Sequence, residues 1–150
     1  MEQQNNRLDT LLKVAGSIEI LVGLLHFLMP YFVDKNHYYS LSSVAENNLV
    51  TLLIFAVGIL LIALGGTTIL FANRLQQTID ILYYYLIMQV ILWLSRVVLE
   101  VLYPIQLSFF YIDPFTLLAL PALVLELLLF VFALSLAVSN RKAMIWEKLS

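Results

Sequence analysis

Four apolar runs, at about 11–33, 49–72, 79–103 and 115–139, each come close to the ~20 residues that carry a helix across the hydrocarbon core of a bilayer. Lipid offers the backbone no hydrogen-bond partner, so each run must satisfy its own N–H and C=O groups, as a helix does. The connections DKNHYYSLSSVAEN, NRLQQ and PIQLSFFYID are short, and short connections make consecutive helices neighbours. The reading is all-α: an integral membrane four-helix bundle in up-down-up-down order, one domain over 1–150, ending in a short interfacial segment at 140–150. Composition supports it, with 62% hydrophobic residues, 12% charged residues and a mean hydropathy of +0.94, against roughly 25% charged in a soluble domain. No room is left for a separate soluble domain.

Other classes fall away on simple counts. The chain has no cysteine, which removes disulfides, thiol redox chemistry and thiolate-held clusters. A formal net charge of -2 with scattered Lys and Arg gives no basic face for nucleic acid. The opening MEQQNNRLD carries two acids and precedes a run too long for a signal-peptide core, so the first span is expected to be retained.

Arg7, Lys13, Arg74, Arg141, Lys142 and Lys148 fall on one side of this layout and Lys35 on the other. By the positive-inside rule both termini then face the cytoplasm, in a bacterial cytoplasmic membrane. The tail RKAMIWEKLS mixes bases with Met144, Ile145, Trp146 and Leu149, the pattern of a segment anchored in the interface. Tyr83, Tyr84 and Tyr85 near one face, and Tyr103, Phe109, Phe110, Tyr111 and Phe115 near the other, read as aromatic belts.

Within the apolar runs the polar residues are not scattered. In the first, Gly16, Glu19, Gly23, His26 and Pro30 recur at steps of three, four, three and four, which places them on one helical stripe. In the third, Gln89, Trp93, Arg96, Glu100 and Tyr103 do the same. Glu126 stands near the middle of the fourth, five residues after Pro121, a candidate kink. The second offers Thr51, Gly58, Gly65, Gly66, Thr67 and Thr68, suited to close packing. The glycines of the first run fit either a close neighbour or space for a ligand.

A charge at a helix centre costs roughly 2.5 to 3.5 kcal/mol on the insertion scale, so these side chains are expected to face one another rather than lipid. Depth along the spans groups Glu19 with Glu126 near mid-membrane and His26 with Arg96 and Glu100 above them. Arg96 is the expected positive anchor, with Glu100 one turn on and Glu126 as its partners and a reach that extends to either layer, while Glu19 is expected to be the acid left over and His26 the pH-sensitive member. One guanidinium cannot neutralise three carboxylates. At least one of them must then be protonated, paired with cationic His26, or open to a wet cavity. The expected ligand-binding set is Glu19, His26, Arg96, Glu100 and Glu126; the same residues also suit a buried polar network that fixes helix register.

Metal and haem have little to hold them. The Glu-x-x-His pairs of di-iron bundles are absent, and His37, the second histidine, lies in the first loop. No nucleophile with a base, phosphate-binding loop or catalytic triad can be assembled, so a non-enzymatic role is expected and no cofactor is identified.

The stretch Gly23-Leu-Leu-His26-Phe27-Leu-Met-Pro30 resembles the G-x-x-H-F-x-x-P segment that closes the first helix of DoxX-like small membrane proteins. The length and four-span layout are similar as well. This resemblance implies an accessory membrane subunit or small-ligand binder, with His26, Phe27 and Pro30 as the positions carried over. The chain departs from that family's pattern after Pro30, continuing YFVDKNHYYS instead of an extended proline-containing segment.

The expected function is therefore that of a multi-pass membrane protein with an intramembrane polar pocket, which binds a small ligand or a proton or serves a larger membrane complex. The alternatives are a quinone- or lipid-handling oxidoreductase subunit and a purely structural subunit. Expected partners are the bilayer, a small hydrophobic ligand such as a quinone or lipid, and a membrane-complex partner or a second copy of the chain.

Overall fold

A computed structural model describes residues 2–32, 44–102 and 114–149. They form four helices: α1 (Glu2–Phe32), α2 (Val44–Ala72), α3 (Leu75–Leu102) and α4 (Pro114–Leu149). Each contains a stretch long and apolar enough to cross a membrane: Gln3–Pro30, Asn48–Ala72, Gln77–Leu102 and Leu120–Ala143. This is the profile of a multi-pass membrane protein built as a four-helix bundle. Tyr103, Phe109, Phe110, Tyr111, Lys35 and His37 lie outside the described residues.

Two helices run longer than the apolar runs that predict them. The polar opening of the chain is helical because its inner face is used: Leu8 and Leu12 are fully buried, while Gln4 Nε2 donates to Ser139 Oγ at 2.9 Å. At the other end of the chain, α4 continues unbroken through 140–149. Proline placement follows the backbone chemistry. Pro114 opens α4, where its missing N–H has no intrahelical partner to lose, and Pro30 sits two residues before α1 ends.

The helix surfaces divide as a bilayer requires. Leu24, Leu60, Met88 and Phe132 are among many large apolar side chains turned outward, and the core they surround is narrow. Three hydroxyls in the spans are satisfied on their own helices. Ser17, Thr67 and Ser95 each donate to the carbonyl four residues back at 2.7–2.8 Å, so none of the three donors is bare toward lipid.

The closest contact in the bundle is between α1 and α2. A Cβ added at Gly16 would lie 2.6 Å from the carbonyl oxygen of Gly65, and one at Gly23 would lie 2.8 Å from that of Gly58. The glycines of the first stripe therefore serve helix packing, with backbone laid on backbone. Both halves of the pair contribute, since Cβ atoms at Gly65 and Gly58 would meet the carbonyls of Gly16 and Gly23.

At one end of the bundle several elements are tied together. Asn140 Nδ2 donates to Asn5 Oδ1, and Arg141 Nε to Asp80 Oδ1, both at 2.8 Å. Arg141 also lies over the rings of Tyr83 and Tyr84, with its guanidinium carbon 4.9 and 5.8 Å from their centroids. The Asn73–Arg74 turn between α2 and α3 borders a groove of about 710 Å³ there, with Asn5, Asn6 and Asp9 of α1 on the facing side.

Candidate functional site

From the Asn5–Asn140 contact the bundle can be measured inward. Glu19 follows Asn5 by 14 residues (19 − 5) and Glu126 precedes Asn140 by 14 (140 − 126). At 1.5 Å per residue each acid stands about 21 Å from that end, so the two share one level. Below them the core is apolar, built from Leu8, Leu12, Leu82, Leu86, Phe130 and Ala133.

Glu19 is fully buried and well bonded. Its Oε1 accepts from the indole N–H of Trp93 at 3.1 Å, and its Oε2 from the hydroxyl of Thr68 at 3.2 Å. Those donors come from α3 and α2, so one carboxyl ties three helices together. Around it lies a second tier. Gln89 Nε2 donates to the Tyr85 hydroxyl at 2.6 Å, and that hydroxyl donates to the Leu64 carbonyl at 2.8 Å. Thr68 and Tyr85 are also within 2.8 Å of each other, and Phe71 packs against the Tyr85 ring at 5.0 Å between centroids. All the donors on Glu19 are neutral.

Glu126 is the opposite case. It is 2% exposed, yet neither carboxyl oxygen has a hydrogen-bond partner among the described residues. It lies within electrostatic reach of Glu19. Gln89, also 2% exposed, has its amide nitrogen engaged and its Oε1 unpartnered. The middle of the bundle thus presents acceptors for which the described side chains supply no donor.

The remaining candidates sit apart from this pair. Arg96 forms its ion pair with Glu100, one turn along α3, at 2.8 Å, and forms none with Glu19 or Glu126. Its side chain is 36% exposed whereas that of Glu100 is 3% exposed, so the guanidinium leans toward the edge of the bundle and covers the buried acid. The reach expected of Arg96 toward the central acids is not realised, because a partner on its own helix takes the guanidinium and neutral donors already occupy Glu19. His26 is half-buried and bonds within α1, its Nδ1 2.8 Å from the Val22 carbonyl. A carbonyl only accepts, so Nδ1 carries the proton and Nε2 is the ring's other functional atom. No hydrogen bond or ion pair among the described residues joins His26 to Arg96, Glu19 or Glu126. Phe27 beside it stacks on Phe55 of α2 at 5.4 Å.

Glu19 and Glu126 share a level, as the sequence predicts, but the acid left over is Glu126 rather than Glu19, and the ion pair of Arg96 is with Glu100. The sequence pattern misses Thr68, grouped with the small packing residues, and Tyr85, assigned to an interfacial belt. Tyr85 carried a signal: four residues before Gln89, it extends the polar stripe of α3 by one more step. Thr68 carried none, since a span threonine ordinarily bonds its own helix, as Thr68 also does toward Leu64.

Among the described residues no group of three or more His, Cys, Asp or Glu is placed to hold a metal ion. Compared with known protein families, curated proteins and solved structures, the chain matches none.

Proposed function

We propose that this chain is a membrane protein that binds a small ligand or a proton between Glu19 and Glu126, at one level inside an up-down-up-down bundle. One observation carries the reading: a buried carboxyl with neither oxygen partnered, near a second buried carboxyl whose oxygens each already accept from a neutral donor. A carboxylate in that position is costly without a counter-charge. A proton, or a ligand carrying donors, removes the cost. Glu19 on this reading is the fixed member that orders Trp93 and Thr68, and Glu126 is the member that exchanges. Arg96 and Glu100 neutralise each other in a neighbouring layer, and His26 completes the polar stripe of α1.

The alternating order of the helices is supported by the glycine pairs, because seven residues forward on α1, from Gly16 to Gly23, correspond to seven backward on α2, from Gly65 to Gly58. It is also supported by the Asn5–Asn140 and Asp80–Arg141 contacts. Arg7, Lys13, Arg74, Arg141 and Lys142 cluster toward that end of the sequence layout, which under the positive-inside rule makes it the cytoplasmic face of a bacterial inner membrane.

Infrared titration of the full chain in lipid nanodiscs tests the site. The expected result is a carboxyl C=O band that appears and disappears with pH and is missing in Glu126→Gln. A titrating band that survives Glu126→Gln unchanged, or no such band in the parent protein, refutes the assignment.

A further inference from the structure

Donors and acceptors around the two acids do not balance, and the imbalance has a chemical signature. The donors are engaged: Trp93 N–H and Thr68 O–H on Glu19, the Gln89 amide on Tyr85 with its second N–H directed to Glu19, and Tyr85 O–H on Leu64. What remains buried and unpartnered beside Glu19 is acceptor only, namely Oε1 and Oε2 of Glu126 and Oε1 of Gln89. The titratable groups recorded around Glu126 and Glu19 are each other and Tyr85, and none is a cation. Arg96, the guanidinium on the same face of α3, is committed to Glu100.

A single proton supplies one donor to this set. A quaternary ammonium supplies charge and no donor. For a divalent metal the described residues offer no group of three or more His, Cys, Asp or Glu. A primary ammonium group supplies one positive charge and three N–H donors in a compact head, the complement of three unpartnered acceptor atoms, two of which belong to a carboxyl group. The outer surface of every helix is apolar, so a ligand entering from the bilayer needs an apolar body behind that head. We propose that the Glu126–Gln89 acceptor set beside Glu19 binds the ammonium head of an apolar primary amine. The inference rests on the Glu19–Glu126 reading above and names its ligand class.

The test uses the full chain in lipid nanodiscs, with n-hexylammonium and n-hexyltrimethylammonium as probes, calorimetric titration as the readout, and empty nanodiscs to correct for partitioning. Hexylammonium is expected to bind about tenfold or more tightly than its trimethyl analogue, the difference that charge-assisted N–H donors make. Glu126→Gln should abolish that preference and Gln89→Leu should reduce it. Gly66→Ala, where an added Cβ meets nothing within 4 Å, should keep it. Should Glu126→Gln fail to fold, Gln89→Leu and the comparison of the two probes still decide the matter. Equal binding of both probes, or no saturable binding of hexylammonium, overturns the inference. In the latter case the infrared titration separates the two failures: a carboxyl band that depends on Glu126 leaves a proton site standing without the amine, and its absence removes both.

Discussion

At Glu19 a carboxyl group holds two donors, the Trp93 indole N–H, which bonds no other acceptor among the described residues, and the Thr68 hydroxyl, which also lies within reach of the Leu64 carbonyl. Removing one donor and removing the acceptor therefore have different consequences. Trp93→Phe deletes the N–H and leaves a buried oxygen short of a partner, with an expected cost of about 1–3 kcal/mol. In a Glu19→Gln background the same change should cost less, because a neutral amide tolerates the loss better than a carboxyl. Unfolding in mixed micelles, run as a double-mutant cycle, reads this coupling, and strict additivity would show that the 3.1 Å contact carries no energy. Arg96→Leu removes the guanidinium from Glu100 and is expected to cost about 2 kcal/mol, below the 3–5 kcal/mol of a fully buried pair because the guanidinium is partly exposed. His26→Ala gives up one bond within its own helix, worth about 1 kcal/mol or less. Folded yield in detergent should rank them in that order; the reverse ranking would mean that His26 does more than pack.

Helices make a separate demand, since two backbones can touch only where neither carries a side chain. Gly16 and Gly65 meet in this way, and again Gly23 and Gly58. Gly16→Ala or Gly65→Ala drives a methyl into a facing carbonyl and is expected to destabilise by about 1–3 kcal/mol, the usual range for overpacking. Gly66 is the control. Nothing lies within 4 Å of a Cβ there, so Gly66→Ala should be neutral or gain about 0.5–1 kcal/mol from helix propensity. Thermal unfolding of the three variants checks the contrast, and equal effects at Gly65 and Gly66 would contradict the α1–α2 packing. This is also where the sequence is most and least readable. The stripe of three-and-four steps identifies the inner face of α1, and a chain of apolar runs leaves little choice but four helices. It cannot say which of the adjacent glycines Gly65 and Gly66 meets the neighbour, because that depends on the rotation of α2 about its axis. Nor does it reveal that Glu19 is held by neutral donors. Electrostatic reasoning pairs an acid with the nearest base, whereas the bundle uses an indole and a hydroxyl whose positions follow from helix packing.

For the whole molecule the constraint is the bilayer, which allows its charged ends to lie only on its two faces. The contacts of Asn5 with Asn140 and Asp80 with Arg141, and the groove between Asn5, Asp9 and the Asn73–Arg74 turn, gather the beginning of α1, the α2–α3 turn and the end of α4. Those segments also hold most of the Lys and Arg residues, and the proposed orientation, which follows the positive-inside rule, puts such a cluster on the cytoplasmic side. Because the chain has no native cysteine, each position can be probed singly without background. Asn6→Cys, Asn73→Cys and Lys142→Cys are exposed sites on the three segments. In sealed right-side-out vesicles a membrane-impermeant maleimide should leave all three unmodified and should label all three once the vesicles are opened. Labelling of Asn73→Cys from outside while the other two stay protected would split the cluster between two faces, and with it the single level shared by Glu19 and Glu126. Labelling of all three from outside would instead invert the bundle as a body and leave its interior unchanged.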